Sequence, residues 1–213
     1  MHIYERTMKF TECLDAIKFQ PYKNKRFVVS THEDSTMKMQ LPRMYMPFGI
    51  NAWTPEVGPP KYNIDFAMNG WDEDGNYVKK FYDTIVALEN KVLEHVTEHS
   101  EEIFGKKMEK DELFPLFNSN IKEGGNGYAP KFRVKVDATT TDLVKADVFD
   151  PEKNRLTDTI ENGLYSRNSG RALVEIASVY FLNKKFGVTY KLSQLMVYPP
   201  ERLKGFAFDL SDD

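Results

Sequence analysis

Three cations at alternate positions are the first residues in this 213-residue sequence whose types and spacing suggest a chemistry. Lys131, Arg133 and Lys135 are separated by single apolar residues. In a β-strand, residues two apart project to the same side about 7 Å from each other, a spacing that suits the phosphates of an extended single strand. The pattern predicts a strand with an apolar face on the core. Its cationic face either binds a polyanion or only solubilises the surface.

Aromatic side chains favour the nucleic-acid interpretation of this cationic strand. They make up 13% of the chain, and several stand near basic residues: Tyr45, Phe48, Trp53, Trp71, Tyr180, Tyr190 and Tyr198. Aromatic platforms in a basic groove hold single-stranded nucleic acid by stacking, without base readout. Any one of these rings can instead pack in the core. The resulting candidate contacts are Lys38, Arg43, Tyr45, Trp53, Lys131, Arg133, Lys135, Arg167, Arg171, Lys184, Lys185, Tyr190 and Lys191.

Catalytic and metal-binding patterns are weak by comparison. The glycine-rich segment 124–127 lacks the lysine and hydroxyl residue of a phosphate-binding loop. The acidic residues 72–74 are interpreted as a solvated helix start rather than a cation site. His95 and His99 have a spacing that can chelate a metal, but the residues between them are not those of a zinc protease, so we expect a solvated helix face. The sequence therefore predicts a non-enzymatic protein without a cofactor.

The elements that must position these side chains are mostly strands. Period-two alternation predicts strands at residues 26–31, 36–41, 62–68, 131–136 and 143–149, and a final hairpin of residues 172–182 and 188–198. Residues 42–60 contain five prolines and are predicted to be a loop, because proline is excluded from helices and central strands. A polar loop is expected at about 151–170. The chain is therefore predicted to be mainly β.

One long amphipathic helix interrupts the strands. Apolar residues recur every three or four positions over residues 76–103, and a shorter helix is predicted near 110–117. Residues 69–104 carry nine acidic and three basic side chains, a balance of −6, whereas residues 18–43 and 183–205 each carry +4. The helix is thus acidic and the strands are basic, although the whole chain has a formal charge of −3. That near-neutral total argues against a histone-like polycation.

The composition also limits the cellular setting. Cys13 is the single cysteine, which excludes an intramolecular disulfide framework and suits a reducing compartment. The longest apolar runs fall far short of the roughly 18 residues that a bilayer span requires. The first residues lack the basic start and apolar core of a secretion signal. We therefore expect an intracellular protein that does not enter a membrane.

Several blocks of sequence resemble one known family. Residues 129–137, 172–182, 186–191 and 194–200, and less specifically 41–53, are similar to the single-stranded DNA-binding proteins of nucleocytoplasmic large DNA viruses. This resemblance implies an oligonucleotide/oligosaccharide-binding (OB) fold, a Greek-key barrel that cradles single-stranded DNA, here elaborated by the long helix in an α+β arrangement. It also implies one domain over residues 1–205, with the helical insertion at about 76–117. The acidic segment 206–213 would be a short C-terminal tail.

The resemblance implies a function as well. The expected activity is sequence-independent binding and protection of single-stranded DNA during viral DNA replication, recombination or repair, in the host cytoplasm or nucleus. Replication or repair proteins are expected as partners through the acidic helix or the tail. Two other hypotheses stay open: a structural or virion-associated interaction protein, and a module for single-stranded RNA, since stacking and phosphate contacts do not exclude a 2′-hydroxyl.

Overall fold

Alternating segments build a mixed sheet in the computed structural model, which describes residues 7–32, 35–141, 143–156 and 165–198. These residues form thirteen strands: β1 Thr7–Lys9, β2 Lys18–Phe19, β3 Arg26–His32, β4 Ser35–Gln40, β5 Met44–Met46, β6 Ile50–Trp53, β7 Lys61–Ala67, β8 Ile121–Lys122, β9 Lys131–Val136, β10 Asp147–Phe149, β11 Arg155–Leu156, β12 Asn168–Leu182 and β13 Lys185–Tyr198. The helices are α1 Cys13–Ala16, α2 Tyr77–Glu98, α3 Ser100–Phe104 and α4 Lys110–Leu113, with 3-10 turns at Phe10–Glu12, Phe114–Leu116 and Gly125–Gly127.

Five of the strands close into a barrel. Strand β12 pairs with β5, β5 with β7 and β7 with β9, all antiparallel. Strand β9 pairs with β13 in parallel, and β13 returns to β12 as an antiparallel hairpin. The fourth of these strands in chain order, β12, lies beside the first, β5, which is a Greek-key connection. The predicted OB-fold-like barrel with a long helix is confirmed.

The barrel core has the composition that the strand pattern predicts. Phe132, Val134 and Val136 of β9 are at most 2% exposed, so the apolar face of this strand is confirmed. Helix α2 covers the core, and its Phe81 ring meets that of Phe132 edge-on with centres 5.2 Å apart. Each such buried side chain stabilises the fold by about 1.5–3 kcal/mol. The buried apolar face of α2 is Phe81, Ile85, Leu88, Val92, Leu93 and Val96.

Local signals set the ends of the long helix. The Asn76 side chain accepts a hydrogen bond from the Val78 backbone N–H at 2.8 Å and so caps the first turn of α2. The predicted helix of residues 76–103 is divided at His99, whose φ of −104° and ψ of 14° separate α2 from α3. Gly105 ends α3 with a φ of +76°, a left-handed conformation that glycine adopts without strain.

Two of the predicted loops and turns are wrong. The proline-rich segment contains β5 and β6, because its prolines flank these short strands while the strand residues find partners in β7 and β12. The turn of the last hairpin is two residues long, not five: Asn183 and Lys184 both have positive φ, as a tight primed turn requires. Of the predicted strand 143–149, only β10 forms a ladder, with β11 and β13.

His95 is packed rather than solvated, which corrects the prediction for this helix face. Its ring stacks on Phe19 at 4.2 Å between centres and meets Phe27 edge-on at 4.7 Å. The Nε2 atom is buried and has no hydrogen-bond partner among the residues that the structure describes. Burial, together with the neighbouring His99, lowers the pKa of His95 to about 4. This side chain packs α2 against the strands β2 and β3.

Parts of the sequence prediction concern residues outside the described ones. The acidic tail 206–213 lies there, as do residues 157–164 of the loop predicted at about 151–170. The described parts of that segment contain β11 and the first residues of β12, so they are not loop throughout. Among the helices formed by the described residues, none combines the length and apolar character needed to span a bilayer.

The buried His95 should make folding stability depend on pH. The folded-state pKa of about 4 lies below the ordinary 6.5, so the unfolded chain takes up the proton first as pH falls. The contribution of neutral His95 to the free energy of unfolding is complete above pH 6.5. It is lost as the pH falls from 6.5 to 4, by about 1–2 kcal/mol for a half-buried ring. Urea unfolding across this range should show the loss, and His95→Gln should flatten it. An equal loss in the variant would contradict the prediction.

Candidate nucleic-acid interface

The strand register sets several predicted cations in one row on the outside of the barrel. Lys135 of β9 pairs with Lys191 of β13 and with Asn63 of β7. Glu175 of β12 pairs with Lys191 on one side and with Lys38 of β4 on the other. The row therefore crosses five neighbouring strands. Residues remote in the sequence become neighbours about 5 Å apart in the hydrogen-bonding direction.

A single carboxylate holds two of these lysines. Asp137 accepts from Lys135 Nζ at 2.9 Å through one oxygen and from Lys191 Nζ at 2.7 Å through the other. Burial opposes ionisation of Asp137, but the hydrogen bonds from Lys191 and Lys135 outweigh it, so its pKa lies below the ordinary value. With Glu175 and Lys38 of the same row included, three positive charges face two negative ones, so the row stays cationic by one charge. The two ammonium groups of Lys135 and Lys191 are therefore already positioned around a negative charge, that of Asp137.

Arg133 has a structural role that the sequence prediction missed. Its Nε and a terminal nitrogen donate to the two oxygens of Asp65, both at 2.8 Å. The Asp65 side chain is 2% exposed, whereas the Arg133 side chain is 41% exposed. The hydrogen bond to Asp65 raises the pKa of Arg133. The guanidinium therefore neutralises a buried charge, and only its outer edge is available to a ligand.

Two exposed aromatic rings each have the ammonium group of a lysine lying over them. Trp53 is 57% exposed, and Lys61 Nζ lies 5.3 Å from its ring centre. Phe48 is 56% exposed, and Lys131 Nζ lies 5.2 Å from its ring centre. Among the described residues neither lysine is ion-paired. Each pair presents a stacking platform beside a cation.

Tyr45 extends the same surface. It is 38% exposed on β5 and pairs in register with Ala67, which in turn pairs with Lys131. Ser169 of β12 lies on the other side of Tyr45, and Arg171 lies two residues further along that strand. We call the combined surface the cationic face. Its members are Tyr45, Phe48, Trp53, Lys61, Lys131, Lys135 and Lys191.

A groove continues from one end of the cationic face. It encloses about 650 Å³, and its polar lining joins three cations to one carboxylate and two hydroxyls. These residues are Lys61, Lys135, Lys145, Asp137, Thr139 and Thr140. Lysines and hydroxyls at this spacing can receive phosphate oxygens that follow a base stacked on Trp53.

Tyr190 is not a platform, which corrects its place among the predicted contacts. It is fully buried, with its ring centre 4.9 Å from that of Phe132 in an edge-on contact inside the core. Burial raises the pKa of its hydroxyl well above the ordinary value. Tyr190 lies between Val188 and Leu192 on the inward side of β13, while its neighbour Lys191 points outward. Strand alternation therefore already separates these two predicted contacts.

The other candidate residues lie at different distances from the cationic face. Arg43 covers the Tyr198 ring at 4.1 Å, near Tyr45, and Arg167 is exposed just before β12. Lys184 and Lys185 are exposed at the hairpin tip. The tip lies six residues along β13 from Lys191, roughly 20 Å at the rise of a strand. The structure therefore separates these two lysines from the other candidates.

Two important residues were absent from the predicted contacts. Lys61 directly follows the proline-rich segment predicted to be a loop, and Phe48 lies within it. Recognising β6 and β7 as a hairpin would have identified Lys61, because it is the register partner of Trp53. Phe48 follows β5 and precedes Gly49, and no local signal indicates that its ring reaches Lys131.

The histidine pair does not have the geometry of a metal site. Ligand atoms of His95, Glu98 and His99 lie within 4.8 Å of one another. However, the two imidazole centres are only 4.3 Å apart, whereas a tetrahedral ion about 2 Å from each nitrogen would hold them at about 5 Å. His99 Nδ1 is hydrogen-bonded to the His95 carbonyl at 2.9 Å. The pair is explained by packing.

Comparison with known proteins identifies a family and a fold. Residues 72–210 match a family model described as "Family of unknown function (DUF5871)". A search of curated protein sequences finds no match. Among solved structures, the single-stranded DNA-binding protein gp2.5 encoded by bacteriophage T7 aligns with a TM-score of 0.50 and 13% identity, over 84% of this chain and 95% of that chain.

A second solved structure aligns over a similar length. The single-stranded DNA-binding protein from bacteriophage Enc34, in complex with single-stranded DNA, has a TM-score of 0.49 and 13% identity, over 89% of this chain and 98% of that chain. At this identity the gp2.5 likeness supports the fold, and the fold agrees with the closed barrel described above. The predicted resemblance to proteins of nucleocytoplasmic large DNA viruses stays a prediction.

The role of Arg133 can be separated from that of the neighbouring lysines. Arg133→Ala should destabilise the protein by about 2–3 kcal/mol, because it leaves the buried Asp65 carboxylate without its charged partner. Lys131→Ala should change stability by less than about 0.5 kcal/mol. Urea unfolding of both variants measures the difference. If Arg133→Ala were as stable as Lys131→Ala, the contact between Arg133 and Asp65 would not contribute to the free energy of unfolding.

Proposed function

We propose that this chain, which belongs to the DUF5871 family of unknown function, binds single-stranded DNA through the cationic face without sequence preference. The observation that carries the proposal is the pair of exposed rings, Trp53 and Phe48, each with a lysine ammonium about 5 Å from its centre. Bases of any sequence can stack on such rings, since every base has a π-face. The nearby lysines supply phosphate contacts that are equally indifferent to sequence.

The charge distribution favours a single strand over a duplex. The one long helix among the described residues, α2, lies in the segment with a charge of −6, so duplex phosphates would repel it from a major groove. The cations instead lie on strands, next to rings that need unpaired bases. A duplex offers its phosphates but keeps its bases stacked within the helix.

The shared fold supports the proposal. The gp2.5 protein, to which this chain is similar in fold, is described as a single-stranded DNA-binding protein encoded by bacteriophage T7. We infer further that this chain protects and presents single-stranded DNA rather than catalysing a reaction. The proposed setting is viral DNA replication, recombination or repair in the host cytoplasm or nucleus.

Binding assays with three nucleic acids test the proposal. Fluorescence anisotropy should show tighter binding to a labelled oligo-dT than to a duplex of equal length, with affinity falling as salt rises. A matched RNA oligonucleotide measures the preference for DNA. Trp53→Ala should weaken oligo-dT binding by about 5- to 100-fold, the value of one stacked base. Val57→Ala, an exposed side chain in the adjacent loop, serves as the control. Equal or tighter duplex binding would refute the proposal.

Asp137 should limit the affinity of the same surface. In Asp137→Asn the carboxylate that engages Lys135 and Lys191 becomes neutral, so both ammonium groups are free to bind phosphates. Oligo-dT binding should tighten several-fold, and the log–log salt slope should steepen by about 0.7 for each added phosphate contact. Glu56→Gln, which removes an exposed charge from the loop after β6, controls for net charge. An equal gain in both variants would mean that only total charge matters.

A further inference from the structure

A second surface lies along helix α2, beside the row of α2 side chains that packs in the core. A groove of about 690 Å³ runs between α2 and the segment of residues 114–130, and most of its lining is apolar or aromatic. Its lining includes Trp71, Tyr82, Val86, Leu93, Phe114 and Tyr128. We call it the aromatic groove. It lies in the size range of about 300–1,000 Å³ typical of ligand sites.

The walls of the aromatic groove are fixed by contacts within the protein. The Glu89 carboxylate, nearly buried on α2, accepts from the Ser119 hydroxyl at 2.7 Å and from the Asn120 backbone N–H at 2.9 Å. Its pKa is raised by burial, although these hydrogen bonds oppose the shift. At Gly124, a Cβ atom would lie 2.1 Å from the Tyr128 carbonyl oxygen, so only glycine permits this wall to fold back on itself. The groove therefore exists before any ligand arrives.

Two rings at the groove stand largely in solvent. Phe114 is 67% exposed and Tyr128 is 78% exposed, which is more than any of the three rings of the cationic face. At the opposite end Trp71 and Tyr82 pack against each other with ring centres 4.9 Å apart. Contiguous exposed aromatic surface beside a preformed groove is typical of an interaction site.

The charge around the aromatic groove has the opposite sign from the cationic face. Glu89 and Glu123 are the charged residues among those that line it, and the exposed acids 72–74 directly follow Trp71. Lys122, which acts on Glu89 and donates to the Ser119 carbonyl, is a nearby cation, but these five acids exceed it. Lys79, on the neighbouring part of α2, is neutralised by Asp83 at 2.9 Å. Nucleic acid would be repelled here, whereas a cationic ligand with apolar groups would be complementary in both charge and surface.

We propose that the aromatic groove binds a short segment of a partner protein in which aromatic or large apolar side chains alternate with lysine or arginine. The apolar side chains would enter between Trp71, Phe114 and Tyr128, and the cations would approach Glu123 and the acids at 72–74. Pro130 lines the groove and directly precedes Lys131 of the cationic face. A partner bound in the groove is therefore placed at one end of the nucleic-acid surface.

The two tryptophans of the chain allow the two surfaces to be observed separately. The sequence contains only Trp53 and Trp71, and the first lies on the cationic face while the second lines the aromatic groove. In the Trp53→Phe protein, tryptophan fluorescence excited selectively over that of the eleven tyrosines reports on the groove, because Trp71 is then the single tryptophan. The probe is the peptide acetyl-Arg-Phe-Lys-Phe-amide, compared with acetyl-Glu-Phe-Glu-Phe-amide and acetyl-Arg-Ala-Lys-Ala-amide. The first peptide should give a saturable change, and the other two should bind at least tenfold more weakly.

Variants of the groove complete the test. Tyr128→Ala should weaken the Arg-Phe-Lys-Phe peptide at least tenfold and leave oligo-dT affinity unchanged. Glu123→Lys should weaken the same peptide at least tenfold. Val57→Ala, an exposed apolar residue in the loop after β6, should alter neither ligand. Circular dichroism verifies that each variant is folded. Because peptide and DNA are measured independently, failure of this proposal is distinguishable from failure of DNA binding.

Three results would overturn the proposal. The first is the absence of saturable peptide binding up to millimolar concentration. The second is equal binding of the acidic peptide, or unchanged binding in Tyr128→Ala. The third is concentration-dependent dimerisation in analytical ultracentrifugation that Phe114→Ala abolishes, since that would assign the groove to a second copy of this chain.

Discussion

Closure of the barrel between β9 and β13 imposes the electrostatic constraint on which the outer surface depends. The parallel pairing sets Lys135 directly beside Lys191, and two like charges in register destabilise a sheet. Asp137, at the end of β9, offsets this repulsion by accepting from both ammonium groups. A phosphate can supply the same negative charge. The internal carboxylate that makes closure tolerable therefore also competes with the ligand that we propose.

The cations of the outer surface divide into two kinds. Arg133 is bound to the buried Asp65 through two hydrogen bonds, so its first role is to stabilise the barrel. Lys61 and Lys131 lie over exposed rings, where an ammonium group keeps its solvation and can turn to an incoming phosphate. This division would allow the face to bind a polyanion, as we propose, without destabilising the strands beneath it. Arg133 is paired with a buried carboxylate, whereas Lys61 and Lys131, two of the cations proposed for binding, lie beside exposed rings.

Helix α2 separates two surfaces of opposite character. One stripe of the helix fills the barrel core, and the adjacent stripe, with Tyr82 and Val86, lines the aromatic groove. The nearly neutral total charge of the chain conceals this segregation, because acidic side chains concentrate on the helical segment and basic ones on the strands. A strand of DNA and a basic partner segment would thus be directed to different places. Neither would compete for the other's site.

Local pattern in the sequence determined the helix α2, the apolar face of β9 and the long final hairpin, because side-chain periodicity follows directly from helix and strand geometry. The sequence also indicated that basic and aromatic side chains are the candidate nucleic-acid contacts. Only the tertiary structure decided which of them reach the surface: Trp53 is exposed, whereas Tyr190 is fully buried. Arg133 meets Asp65 across 68 residues of chain. Contacts of this kind depend on strand register, bulges and barrel closure, and these are set by packing between distant segments rather than by neighbours in the sequence.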